Sequence, residues 1–348
     1  MPESQKQRID WVDFAKGICI VLVAMMHSTL GVEKAAGEAS WLHGFIDWAR
    51  PFRMPDFFLI SGLFLASRID RPWRAYLDSK VLHFVYFYIL WMTIQYLTKS
   101  WGLVQEQGAL GALESYLMGF VQPFGTLWFI YLLAVFFAVT KLLRRVPPVL
   151  IFAAAALLEA APTETGWLVV DEFASRFVYF FAGYWLAGVV FAFTARMDRL
   201  STAGMLSALA LWGIAHTYFV THGLASLPGV SLAMGFIGAG AVMTTGLLLT
   251  RIRFMSFVRY CGENSIVIYL AFFLFMAASR SLLLKLGVIG DLGIVALMVT
   301  ATGVTGSVLL FWAVRRTPLA FLFSRPRWAK LSSSHVPARR MALATQRS

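Results

Sequence analysis

Long apolar runs alternate with short polar connections along almost the whole chain. A helical membrane crossing needs about 20 residues. Only helices and closed barrels pair all of their backbone groups within lipid, so such runs indicate spanning helices. The pattern therefore predicts an all-α, polytopic membrane helix bundle of about ten transmembrane helices. The runs lie at residues 13–31, 43–67, 81–99, 124–142, 148–161, 173–194, 203–220, 228–249, 264–284 and 290–314.

Two stretches fit this pattern less well than the others. The run at 148–161 is short for a crossing, so its length leaves open whether it spans fully. Residues 109–122 are apolar, but glycines and Glu114 interrupt them. We expect this second stretch to be an interfacial or re-entrant segment.

Composition supports a single membrane domain. Of the 348 residues, 59% are hydrophobic and 14% charged, with a mean hydropathy of +0.70. Soluble domains carry about a quarter charged residues, and no polar stretch here is long enough to form one. We expect a membrane domain over residues 1–314 and a basic tail over 315–348. The tail should be partly disordered and should contact anionic lipid headgroups.

The formal net charge is +12, from 30 basic and 18 acidic residues. In a soluble protein this would suggest a nucleic-acid partner. Here the basic residues lie in alternate connections and in the tail, as is typical of cytoplasmic loops. The sequence thus predicts both termini in the cytoplasm, an inner (plasma) membrane location and the lipid bilayer as partner, with no nucleic acid.

Neither the start of the chain nor its two cysteines indicate a cleaved signal peptide, a disulfide framework or a metal site. The N-terminal region lacks a small-residue cleavage site, so we interpret the first run as a retained helix. Cys19 and Cys261 are too few and too far apart for a disulfide framework or a thiolate metal site. No metal cofactor is expected.

Ionisable residues at membrane depth are costly and are functional candidates by default. The first run carries Asp13, Lys16 and His27. Eleven helical residues return to within about 20° of the same face, so Lys16 and His27 share a side and lie about 16 Å apart. Asp13 and Lys16 are i, i+3 neighbours and can form an ion pair.

The second run returns across the membrane and carries Arg53 and Asp56, with Pro51 and Pro55 interrupting its hydrogen bonding. Counting from the boundary places both charged residues near the depth of His27. We therefore predict a polar site formed by His27, Arg53 and Asp56. Simpler alternatives stay open: a lone His can bond a neighbouring helix, and an Arg–Asp pair can neutralise itself.

Other polar residues give weaker signals. Glu159, Arg176, His216 and Arg280 fall near predicted outer helix ends. Long side chains at such positions commonly reach toward the membrane surface, and we interpret these four residues in that way.

Several short motifs follow one another along the chain. They are residues 13–17 followed by His27, then residues 52–62, 127–130, 181–184 and 262–270. In this order they resemble the membrane acyltransferase-3 family of glycan O-acyltransferases. The first is similar to its L-D-x-x-R-G…H start and the second to its second-helix M-P-x-F-F-x-x-S-G signature. The other three are similar to its L-W-F-L, F-x-x-G-Y/W and G-x-x-S…I-Y-L motifs.

Three positions depart from the family pattern. Lys16 stands where the family usually has Arg, which keeps the charge but loses forked, bidentate recognition. The basic R-x-x-R of the third helix appears as Lys80-x-x-His83, and the late Y-L-L-H motif ends in Phe272 instead of His. These departures concern the donor contacts and the substrate.

The resemblance implies transfer of an acyl group, most often acetyl, from cytoplasmic acyl-CoA to a hydroxyl of an envelope or exported carbohydrate. His27 would act as general base or as transient acyl carrier. Arg53 would stabilise the oxyanion or place the acceptor, and Asp56 would orient either residue. The CoA-binding candidates are Asp13, Lys16, Arg74, Lys80 and His83, with Arg68 and Arg71 as further phosphate partners.

Two other function classes stay open. A transporter or exporter of a glycan, lipid or acyl species would use the same buried Arg, His and Asp as a substrate pathway. A non-catalytic subunit of an envelope complex is the third option, and the presence of His27 together with Arg53 counts against it.

Overall fold

The computed structural model describes residues 9–123, 125–161 and 163–331, and over these ranges the chain forms helices and connections without a strand. Thirteen α-helices are present in this part of the chain. They are α1 Asp10–Ala36, α2 Leu42–Gly62, α3 Trp73–Tyr76, α4 Leu82–Met118, α5 Trp128–Leu142, α6 Pro148–Ala160, α7 Leu168–Trp185, α8 Ala187–Asp198, α9 Thr202–Thr221, α10 Val230–Thr250, α11 Ser256–Glu263, α12 Ser265–Leu286 and α13 Leu292–Val314.

The predicted helical bundle is confirmed, and each of the ten predicted runs coincides with a helix or with the bent pair α7–α8. Within the described ranges, seven helical segments are long and apolar enough to cross a membrane. The count is eight when α7 and α8, bent by 77°, are taken as one span. The charged α2 and the 13-residue α6 fall outside this group. The count of ten and the orientation stay predictions.

Glycines allow the central helices to approach closely. A Cβ added at Gly62 of α2 would meet the carbonyl oxygen of Phe180, and one added at Gly183 of α7 would meet that of Leu59. Small residues at helix interfaces permit this packing in a membrane, where no hydrophobic driving force draws helices together. The contact fixes α2 against α7 and so sets the position of the charged residues of α2.

The start of α1 and the end of α13 lie at one end of the bundle. Arg259 of α11 pairs with Asp10 at 3.6 Å, and the neighbouring Tyr260 accepts a 2.6 Å hydrogen bond from Trp312, near the end of α13. We call this the basic end, because most of the basic connections meet there. The predicted orientation places it in the cytoplasm.

The opposite end is closed by a contact between distant connections. Asp291 accepts hydrogen bonds from the backbone of Ile294, at the start of α13, and from the Trp41 indole at 3.0 Å. These donors hold the pKa of Asp291 below its ordinary value. The carboxylate therefore stays charged as a helix cap over the physiological pH range.

The interrupted apolar stretch at 109–122 folds back along α4. The helix breaks at Gly108, whose φ of 74° favours glycine. Beyond it, the Tyr116 hydroxyl lies 3.0 Å from that of Thr93, and Gly119 accepts a hydrogen bond from Tyr88. The segment is therefore a helical hairpin arm, and whether it is interfacial or re-entrant stays a prediction.

The first part of the predicted tail packs onto the bundle. The Trp91 indole donates to the carbonyl of Leu322 at 2.9 Å, and Tyr86 donates to that of Phe321 at 3.1 Å. The part of the tail around residues 321–331 is therefore docked on the bundle. The expected disorder and headgroup contact of residues 332–348 lie outside the described residues.

Candidate active site

His27 lies in the middle of α1 with its ring against Phe272 of α12. The ring centroids are 5.6 Å apart. The side chain is half-buried, and no hydrogen bond joins its nitrogens to any described residue. An imidazole supported on one face by an aromatic ring keeps both nitrogens available for proton transfer or for covalent chemistry.

Phe272 is also the position at which the family's Y-L-L-H motif has its histidine. The sequence alone showed this substitution but gave it no location. In the structure it lies directly against His27. This departure therefore changes the surroundings of the candidate catalytic residue, because a second imidazole is replaced by an apolar ring.

Arg53 of α2 reaches the turn of α1 that carries His27, because it contacts the adjacent residue Met26. Its side chain is buried, with Nη1 donating to the carbonyl of Ile46 at 3.3 Å and Nη2 lying 2.8 Å from the Met26 sulfur. Its charge acts on His27, and its Nε is buried without a partner among the described residues. A fixed guanidinium with a donor to spare can stabilise a developing oxyanion.

The structure does not bring Asp56 to the same place. Its Oδ2 accepts a hydrogen bond from the Cys19 thiol, and its Oδ1 is buried without a partner in the described chain. Cys19 precedes His27 by eight residues, about 12 Å along the axis. Asp56 follows Arg53 by three positions, which separates the two by about 4.5 Å in depth and by about 60° around the helix. The predicted orienting role of Asp56 therefore has no supporting contact, and the self-neutralising Arg–Asp pair is not formed.

The predicted donor residues lie at the basic end. Asp13 and Lys16 form the predicted i, i+3 pair at 3.9 Å. Arg74 donates to the carbonyl of Leu331 at 3.2 Å. Lys80, on the π-helical turn Leu77–Val81, lies 4.7 Å above the Phe137 ring. Such turns are frequent at functional sites.

His83 opens α4 within the same region. The charges that act on it are those of Arg325, Lys80, Asp78 and Lys330, of which three are positive. Arg74, Lys80 and His83 are therefore brought together with the docked tail, whereas Asp13 and Lys16 lie on α1.

Arg325 is the residue of this region that sequence reasoning missed. Its side chain is only 6% exposed, and its Nη2 donates to Asp78 at 2.8 Å. Its Nε and Nη1 are buried without partners among the described residues. Buried donors of this kind are rare and call for an explanation. No sequence pattern in the basic tail indicates that this one arginine is buried.

A polar cavity of about 400 Å³ opens toward the opposite end. We call it the opposite-end cavity. Polar side chains from α2, α6, α7 and α10 line it. They are Asp47, Arg50, Glu159, Arg176, Tyr179 and Ser231. Glu159 and Arg176 therefore face a shared cavity, which corrects their interpretation as isolated snorkelling residues.

His216 also differs from that interpretation. It is 3% exposed, and its Nε2 lies 2.8 Å from the carbonyl of Trp48. It belongs to the packing of α9 against α2. Across the described ranges, no group of three or more His, Cys, Asp or Glu side chains is arranged to hold a metal ion.

Comparison with known proteins agrees with the order of the motifs. The sequence model of the acyltransferase-3 family, described as an acyltransferase domain, matches residues 9–316. The chain belongs to this family. It is also similar to the inner membrane protein YcfT of Escherichia coli K12, at 25% identity over 296 residues that cover 76% of this chain and 78% of that protein. No solved structure matches. The chain is thus a multi-pass membrane protein of the acyltransferase-3 family.

Proposed function

We propose that this protein is an O-acyltransferase of the inner membrane that moves an acyl group, in the simplest case acetyl, from cytoplasmic acyl-CoA to a hydroxyl of an envelope or exported carbohydrate. The observation that carries the proposal is the proximity of His27 and Arg53 inside the bundle. An imidazole without a hydrogen bond to the described residues feels the charge of a buried guanidinium that reaches the adjacent Met26 and whose Nε is unpartnered in the described chain.

In the direct form of the reaction, His27 takes the proton of the acceptor hydroxyl, and the oxygen attacks the thioester carbonyl. Arg53 stabilises the negative charge that forms on the carbonyl oxygen. Collapse of this intermediate breaks the C–S bond, and the CoA thiolate receives the proton from His27. In the alternative form, a nitrogen of His27 attacks the thioester carbonyl, the C–S bond breaks, and CoA leaves as the thiol with the imidazole proton. The acceptor hydroxyl then attacks the acyl-imidazole, the N–acyl bond breaks, and the hydroxyl proton returns to the imidazole.

The donor would dock at the basic end. Phosphate groups of CoA are matched there by Arg74, Lys80 and Arg325, with His83 among them. Lys16 would line the path, since it lies about 16 Å from His27 on the same face of α1. The thioester would then extend from this end toward His27.

A transporter is the second candidate, and one observation is consistent with it. Polar residues occur at three depths along α1, namely the Asp13–Lys16 pair, Cys19 with Asp56, and His27 beside Arg53. Such a series suits a substrate pathway as well as a reaction site.

The two candidates are separated by following the thioester. The purified protein in lipid nanodiscs would be given acetyl-CoA and envelope glycans of the expression host. An acyltransferase releases one free thiol of CoA for each acyl-glycan detected by mass spectrometry. Glycan movement across a proteoliposome membrane without CoA release would instead support the transporter.

A further inference from the structure

The opposite-end cavity contains a carboxylate group that is not fully satisfied. The hydroxyl of Tyr179 lies 3.3 Å from Glu159 Oε1 and 3.4 Å from the carbonyl of Ser231. Glu159 Oε2 is buried and makes no hydrogen bond of normal geometry within the described chain, and the nearby Ser231 side chain is the group that acts on this carboxyl besides Tyr179 and Arg176. Leaving a buried acceptor unpaired costs free energy that a bound donor group would recover.

The cavity is connected to the candidate active site through Arg53. The charges of Arg176, Arg50 and Asp47, three residues of its lining, act on Arg53. Arg53 in turn acts on His27. A ligand in the cavity would therefore lie on the far side of Arg53 from the basic end, where the donor is proposed to dock.

The balance of charge indicates the kind of ligand. In the cavity, the guanidinium groups of Arg50 and Arg176 face the carboxyl groups of Asp47 and Glu159, and Arg176 also pairs with Glu172 at 3.1 Å, so the cations have no surplus. The surroundings of His83 instead have three cations against one carboxylate. A surplus of cations suits phosphates, whereas balanced donors and acceptors suit hydroxyl groups, which both donate and accept.

We propose that the opposite-end cavity is the acceptor site and that it binds a neutral, hydroxyl-rich segment of a carbohydrate. The unpaired Glu159 oxygen accepts from one hydroxyl, and Arg50 donates to another. This inference rests on the proposed acyl transfer, because it supplies the acceptor of that reaction. It assigns the two substrates to opposite ends of the bundle, with His27 and Arg53 between them.

The test uses two variants and a matched control. Arg50→Gln changes an exposed side chain, so it leaves no buried group unpaired. Glu159→Gln changes the carboxylate of the cavity. Glu164→Gln is the control, because Glu164 is exposed in the connection that follows α6 and lies outside the cavity lining. Titration with CoA serves as a check that each variant is folded.

Oligosaccharides from the host envelope would be separated by anion exchange into neutral and acidic fractions. Binding to the nanodisc-embedded protein would be measured by thermophoresis and acyl transfer by mass spectrometry. We expect wild type to bind the neutral fraction more tightly than the acidic one. Arg50→Gln and Glu159→Gln should each weaken this binding at least tenfold, and Glu164→Gln should stay within twofold.

Wild-type affinity in both cavity variants would overturn the proposal, as would tighter binding of the acidic fraction by wild type. Failure of the proposed reaction gives a different result. If the neutral fraction binds through Arg50 and Glu159 but no thioester is consumed, the acyl transfer is refuted and the cavity is supported as a carbohydrate site.

Discussion

At the scale of single residues, the chemistry of the site depends on how His27 is held. Its ring packs on Phe272, a side chain without a polar atom. The imidazole is thereby oriented by packing, and its nitrogens are left for the substrates. A small displacement of a reacting group can lower the rate as much as 10²-fold. The size and shape of the Phe272 ring should therefore affect the rate of turnover.

Phe272→Leu should therefore lower the rate of acyl transfer about tenfold, because the aromatic support of His27 is lost. Similar apolar volume keeps the cost in stability below about 1.5 kcal/mol. Phe273→Leu, at the next and also buried position of α12, is the matched control. Equal turnover of the two variants, measured as CoA release at saturating substrates, would show that Phe272 does not position His27.

At the scale of elements, the docked segment 321–331 adds its own side chains to the basic end. Asp78 accepts from Arg325 at 2.8 Å and from the backbone of Leu331 at 2.8 Å. One carboxylate thus holds the segment at two points beside Lys80 and His83. Arg325 is brought to the place where the family's second arginine of R-x-x-R is replaced by His83.

Arg325→Gln should weaken the binding of CoA about tenfold or more, since a hydrogen bond to a charged group contributes about 1.5–3 kcal/mol. Asp78→Asn should weaken it less than Arg325→Gln does, because the amide oxygen can still accept from the docked segment and Arg325 keeps its charge. Arg327→Gln, on an exposed side chain of the same segment, is the control. The measurement is titration of the nanodisc-embedded protein with CoA and 3′-dephospho-CoA.

CoA binding by Arg325→Gln at wild-type strength would remove Arg325 from the donor site. Loss of binding in all three variants would indicate that the segment is needed only for folding. Anionic lipid in the nanodisc, varied between preparations, shows whether headgroups compete for the same guanidinium.

At the scale of the whole molecule, the helical bundle and the matching depth of His27 and Arg53 could be predicted from the sequence. Lipid requires long apolar helices, and sequential helices that cross in opposite directions bring residues of equal depth together. Gly62 and Gly183 belong to motifs that the sequence shows, but the close packing of α2 against α7 at these glycines could not be predicted.

Other features could not be predicted, because they depend on rotation and on contacts between distant segments. Asp56 accepts a hydrogen bond from the Cys19 thiol of α1 and makes no ion pair with Arg53, although the two stand at i, i+3 on one helix. Arg325 becomes buried only when the tail docks onto α4. The opposite-end cavity combines side chains from α2, α6, α7 and α10, and no local pattern in any one of them indicates it.

The orientation of the molecule gives a prediction of its own. With the basic end in the cytoplasm, a cysteine at exposed Glu38 should react with a membrane-impermeant maleimide in intact cells. A cysteine at exposed Arg145 should react only after the membrane is opened. The native Cys19 and Cys261 are buried. The reverse pattern would invert the bundle and move the donor site away from cytoplasmic CoA.

The central claim is that His27 performs acyl transfer, and its most direct test is the rate of CoA release coupled to glycan acylation by His27→Ala in nanodiscs. Loss of a general base lowers rates by about 10²–10⁴-fold, so the account predicts at least a hundredfold loss with CoA binding intact. His222→Ala, on an exposed histidine at the end of α9, should match wild type. Coupled release and acylation by His27→Ala at the wild-type rate would contradict the account.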